Sequence, residues 1–171
     1  MQMVKKIIGM LIASWLLLLI FMPKEEMYYS VEKILATRDI TLNEKSIDEG
    51  LFSLTLKDVT IYVKGIALVN VKKIDFFTLL FYNTLKIDNI LVDEVLQSRV
   101  PSKTKEVAFS YQIFNPLNIS VDANGSFGHA IGSIDLSDKK VHIDFVKTKN
   151  IEVIKSLLKK GKKGWFYEKS F

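Results

Sequence analysis

From Asp39 onward, apolar residues fall at every second position for most of the chain. Ile40 and Leu42 alternate with polar residues in DITLNE, and Phe52, Leu54 and Leu56 do so in LFSLTLKD. Val59, Ile61 and Val63 follow in VTIYVK, and Ala67, Val69 and Val71 carry the pattern to Ile74 beyond Gly65. A period of two places one set of side chains on a buried sheet face and the other in water. The run FFTLLFYN (76–83) breaks it, being apolar throughout, and reads either as one helical turn or as a buried corner. LKIDNILVDE predicts a further strand, and the polar SRVPSKTKE around Pro101 a loop. KEVAFSYQIF and NPLNISVDANG predict strands separated at Asn115-Pro116, and SFGHAIGSIDLSDKKVHIDF predicts two more joined by a turn over residues 137–140. Such short connections favour antiparallel neighbours.

Two helices frame the strands. Met27, Tyr28, Val31, Ile34 and Leu35 recur at helical spacing after Pro23, giving one apolar face over residues 25–36 that rests either on a membrane or on the domain. Ile151, Ile154, Leu157 and Leu158 predict a final helix over 151–160, capped by Asn150 and stopped by Gly161.

The N-terminus is of another kind. Ile7 to Met22 is uncharged, with Lys5 and Lys6 before it and Lys24-Glu25-Glu26 after it. Lysine stems that snorkel lengthen the span to about 20 residues, enough for a ~30 Å hydrocarbon core. A cleavable leader needs small residues just before its cut site, and here Ile20-Phe21-Met22-Pro23 are all bulky. The segment therefore reads as a retained, single-pass signal anchor. By the positive-inside rule the N-terminus is cytoplasmic and the domain lies outside. The expected organisation is an anchor at 1–23, an amphipathic connector at 24–38, a β domain at 39–146 and a basic, aromatic tail at 147–171. The fold class is mainly β: an antiparallel, curved meander with short flanking helices.

Composition refines this picture. The chain of 171 residues has no cysteine, which removes disulfides, thiolate metal sites and a cysteine nucleophile. Its net charge of +5 is concentrated in residues 147–171, where eight lysines face two glutamates. Lys159, Lys160, Lys162 and Lys163 with Trp165 and Phe166 form a candidate interfacial tail, suited to a membrane–water boundary; a strand covering a sheet edge is the alternative. Nucleic acid is not an expected partner, because the tail faces away from the cytoplasm.

The chemistry-bearing residues give no active site. His129 and His142 lie in strand-like segments without ligand spacing, GSFGHAIG lacks the context of a phosphate loop, and the aspartates fit a solvated sheet face. No catalytic residue, metal or cofactor is assigned, and a non-enzymatic role is expected. The candidate site is instead an apolar sheet face lined by Leu54, Leu56, Val59, Ile61 and Val69.

Two stretches carry a family likeness. LTLKDVTIYVKGIALVNVKKIDFFTLLFYNTLKIDNILVD resembles the pattern of AsmA-like envelope proteins and of the inner-membrane N component (GspN) of type II secretion systems. NPLNISVDANGSFGHAIGSIDLSDKKVHIDF is similar to the closing sheet region of the N component. The resemblance implies a Gram-negative inner membrane, a periplasmic domain and a part in secretion or lipid traffic. The leading expectation is an envelope scaffold whose sheet edges accept strands of secretion-system partners; the alternative is lipid binding or transfer on the apolar face, with phospholipid as ligand.

Overall fold

The computed structural model describes residues 2–79, 81–162 and 164–171. Helix α1 (Gln2–Ile20) is followed after three residues by α2 (Lys24–Ala36). At about 1.5 Å per residue, the 19 residues of α1 rise roughly 28 Å, and the helix is long and apolar enough to cross a membrane. Glu25 and Glu26 in the first turn of α2 and Lys33 in its last match the polarity of the helix ends.

Among the described residues, eleven antiparallel strands form one open sheet: β1 (Ile40–Asn43), β2 (Ser46–Glu49), β3 (Ser53–Val63), β4 (Ile66–Leu79), β5 (Tyr82–Val92), β6 (Lys103–Gln112), β7 (Asn118–Gly125), β8 (Gly128–Asp135), β9 (Lys140–Thr148), β10 (Lys159–Gly161) and β11 (Gly164–Ser170). Their order is β1-β3-β4-β5-β6-β7-β8-β9-β11-β10, with β2 paired beside β1 on β3. The sheet does not close into a barrel. Hairpin chemistry explains the regularity. Lys64 and Gly65, with φ of 52° and 77°, make the two-residue turn between β3 and β4 that matches strand twist. A one-turn helix α3 (Glu94–Gln97), capped by Asp93, fills the β5–β6 connection.

Three local expectations change. FFTLLFYN is neither a helical turn nor a corner: β4 runs through Leu79 and β5 begins at Tyr82. Leu80 lies outside the described residues. The helix expected over 151–160 is replaced by a single 3-10 turn at Lys155–Leu157 and by β10, because Lys160 pairs with Trp165 and the sheet outcompetes a short isolated helix. The segment 147–171 is thus no separate tail; β11 is laid along β9, with Tyr167 opposite Ile143.

The core lies where α2 crosses the first strands. Tyr28, Leu54, Leu56, Val59 and Val71 are buried together, ringed by Leu42, Ile47, Ile61, Val69, Ile74, Phe76, Ile87 and Ile90. Tyr28 thus packs α2 on the domain, while Met27, Val31 and Ile34 of the same apolar face stay exposed. Lys24 is 3% exposed, and its Nζ donates to Glu49 Oε1 at 3.2 Å and to the Met22 carbonyl at 3.3 Å. Tyr28 donates its hydroxyl to Glu44 Oε2 at 2.7 Å. Burial, then that bond, holds the phenol protonated far above its ordinary range.

Candidate functional site

Register assembles a continuous apolar face. Leu54, Phe76, Leu85, Phe109, Val121, Gly132, Ile143 and Tyr167 stand opposite one another across eight strands. A parallel row runs Ile47, Leu56, Ile74, Ile87, Val107, Ala123, Ala130 and Phe145. The intervening positions point the other way and are mostly polar: Thr55, Asp75 and Lys86 in one row, Ser110, Ser120, Ser133, His142 and Glu168 in another.

The face stays apolar past a break in the period. Three successive strands carry apolar-polar-polar-apolar quartets, LKDV (56–59), VKKI (71–74) and IDNI (87–90), and TKEV (104–107) on β6 continues the row with Thr104 in the first place. Lys57 pairs with Lys73 and Lys73 with Asp88, so the quartets lie in register. Asp58 and Asn89 adopt φ of 49° and 50°, which turns two successive side chains to the wet face and returns Val59 and Ile90 to the apolar one. Without these turns, Val59 would point to water.

Helix α2 covers only the start of this face. Beneath it a cavity of ≈ 260 Å³ is lined by Met22, Lys24, Met27, Tyr28, Val31, Leu54, Leu56, Ile74, Phe76 and Leu85. A shallower depression of ≈ 300 Å³ continues from Phe76 and Leu85 over Phe109, Tyr111, Ile119 and Ile134. The two share residues and form one trough. Of the predicted face residues, Leu54 and Leu56 line the cavity. Val59, Ile61 and Val69 join the closed core around it. The open part of the trough, on β4 to β8, holds none of the predicted face residues; it is built by strand pairing, which sets Phe76, Leu85, Phe109, Ile119 and Ile134 on the face that carries Leu54.

The candidate interfacial residues form the far edge. Lys159, Lys160 and Lys162 are exposed on and beyond β10, while Lys163 lies outside the described residues. Trp165 sits 5.8 Å from Lys155 Nζ and 5.9 Å from Lys160 Nζ, measured to the ring centroid, as cation–π pairs. Phe166 points to the opposite, polar face, its ring 5.3 Å from that of His142.

On that polar face, His142 lies between Glu168 (Nδ1 to Oε2, 3.3 Å) and Asp144 (Nε2 to Oδ2, 3.3 Å). Both ring nitrogens face carboxylates, so neither is directed at Ser133, its neighbour in register. Among the described residues no cluster of three or more His, Asp or Glu side chains is placed to hold a metal ion.

Lys140, 2.8 Å from Glu168, holds the Glu168 carboxyl below its ordinary range, against partial burial and with help from His142. Lys72 does the same for Asp58. A carboxyl depressed in the folded state adds stability above its unfolded value, near pH 4, and loses it as pH falls through the folded value. The urea midpoint should therefore stay level from about pH 7 to about pH 5 and fall below about pH 4. Glu168→Gln should shallow that fall; an unchanged acid limb would show that these pairs contribute nothing.

Compared with protein-family models, curated proteins and solved structures, the chain finds no match in any of the three. Its function is accordingly argued from the trough and from α1, a helix long and apolar enough to cross a membrane.

Proposed function

We propose that the protein is a membrane-tethered lipid carrier whose trough holds an acyl chain of a phospholipid. The observation that carries this reading is the apolar row running from Leu54 to Tyr167 with a helix over its first strands alone. Beyond the helix Phe109, Ile143 and Tyr167 of this row are only half-buried, with Val121 buried among them, and a continuous apolar face left partly wet suits an apolar ligand. The cavity end of the trough includes Met22, in the three-residue link to α1, so it opens beside the anchor. Retention of α1 in an inner membrane, with the domain on the periplasmic side, belongs to the same proposal and rests on the Lys5-Lys6 flank. The AsmA-like resemblance of residues 54–93 points the same way.

The scaffold alternative depends on sheet edges that accept partner strands. Here the terminal strands β1 and β10 have only four and three residues, which blunts them as templates. The carrier is therefore the better-supported reading.

The test is lipid content of the full chain purified from membranes in mild detergent, read by native mass spectrometry. Phospholipid should accompany the wild type and Ile131→Asp, which alters the polar face of β8. Phe109→Asp should reduce it by about tenfold or more, since a charge placed against an acyl chain is strongly disfavoured. Equal lipid in all three would refute carriage on this face, and a co-purified protein without lipid would restore the scaffold.

A further inference from the structure

We infer that one end of the sheet is a second membrane contact, a rim of turns that inserts into the surface of the same bilayer that α1 spans. This rests on α1 as a membrane anchor, and not on lipid carriage.

The start of β3, the β4–β5, β6–β7 and β8–β9 turns, and the end of β11 all lie at one end of the strands. These connections expose Leu51, Phe81, Phe114, Leu117, Leu136 and Phe171. Phe114 is 84% exposed, and its ring lies 5.7 Å from that of Phe81. Backbone bonds join neighbouring turns into one line: Ile113 N to the Phe81 carbonyl at 3.0 Å, Leu136 N to Leu117 at 2.8 Å, and Phe171 N to Lys139 at 2.9 Å. Seven strand spacings separate β3 from β11, so the rim is about 34 Å wide. Turns that meet only water are ordinarily polar.

Two observations fix what covers the rim. The first is position. Lys24, at the start of α2, is bound to Glu49, and Glu49 pairs with Leu54 near the rim end of β3. Four residue steps from Ile20 to Lys24 span at most about 14 Å, so the bilayer surface cannot be far from this end. The second is charge asymmetry. The opposite end of the sheet exposes six cations, Lys64, Arg99, Lys103, Lys147, Lys149 and Lys162, beside Ile66 and Val95, whereas the exposed charges of the rim turns are Asp138 and Lys139, which cancel. Apolar and aromatic side chains at the anchored end and cations at the free end are the arrangement expected of a domain standing on a membrane. The trough row Leu54-Phe76-Leu85-Phe109 begins only a few residues from the rim, so its mouth would meet the acyl region directly.

The chain has no cysteine, which permits single labelling. Phe114→Cys and Leu117→Cys on the rim, and Val95→Cys at the free end, where Val95 is 71% exposed, would each carry an environment-sensitive nitrobenzoxadiazole dye. The full chain is reconstituted in phosphatidylcholine–phosphatidylglycerol vesicles with and without nitroxide-labelled lipid. Both rim labels should shift to the blue and be quenched at least about threefold more than the Val95 label, as shallow insertion requires. Quenching at neither rim site above the Val95 level overturns the proposal. A blue shift without lipid quenching also overturns it, because a protein partner or second copy would then cover the rim. Phe109→Asp, which empties the trough if carriage is correct, should leave rim quenching unchanged, so the two proposals fail separately.

Discussion

Val59→Asp is expected to abolish the cooperative unfolding transition of the β domain. Val59 is 1% exposed and is packed with Tyr28, Leu54, Leu56 and Val71. An unpaired charge at such a site costs several kcal/mol, a large part of the 5–15 kcal/mol that typically holds a domain together. Val59→Ala separates burial from charge. It removes two methyl-sized groups and should cost about 2 kcal/mol, cavity included. Urea unfolding followed by circular dichroism reads both. A wild-type midpoint for the aspartate variant would mean that α2 does not seal this part of the sheet.

Removing Glu49 should cost nearly as much as a core lesion, although Glu49 is itself only partly buried. In Glu49→Ala the Lys24 ammonium would keep the Met22 carbonyl as its one remaining partner. Stranding a buried cation in this way destabilises by about 3 kcal/mol, or roughly 6–12 °C in Tm for a domain of this size. Lys24→Met should instead be neutral or stabilising, because a well-packed apolar side chain escapes the desolvation that the ion pair incurs. Combining the two should restore near wild-type melting. Equal losses in both single variants would contradict the asymmetry, and with it the view that Lys24 is buried where α2 meets the sheet.

The strands were legible because their apolar residues alternate, and the long apolar helix α1 because Ile7 to Met22 lacks any charge. Local pattern was insufficient where pairing decides. Ile151, Ile154, Leu157 and Leu158 fit a helix, yet Lys159–Gly161 gains a partner strand in β11. FFTLLFYN looked anomalous because its outward residues are apolar as well. Phe77 shares a row with Ser53 and Thr84, and Phe81 belongs to the exposed turn, so a largely apolar run need not mean burial. The candidate face was half visible. Leu54 and Leu56 were found on β3, but extending it required knowing that Asp58 and Asn89 turn left-handed in register, which depends on neighbours in space.

An open meander has no fixed number of strands. Barrels have a circumference set by closure, whereas here each hairpin meets only the strand beside it, and a further hairpin would lengthen the apolar row by about 10 Å. On the proposed carrier reading, capacity is a matter of length along the row, so ligand size is adjusted by duplicating or deleting hairpins while the end beneath α2 stays as it is.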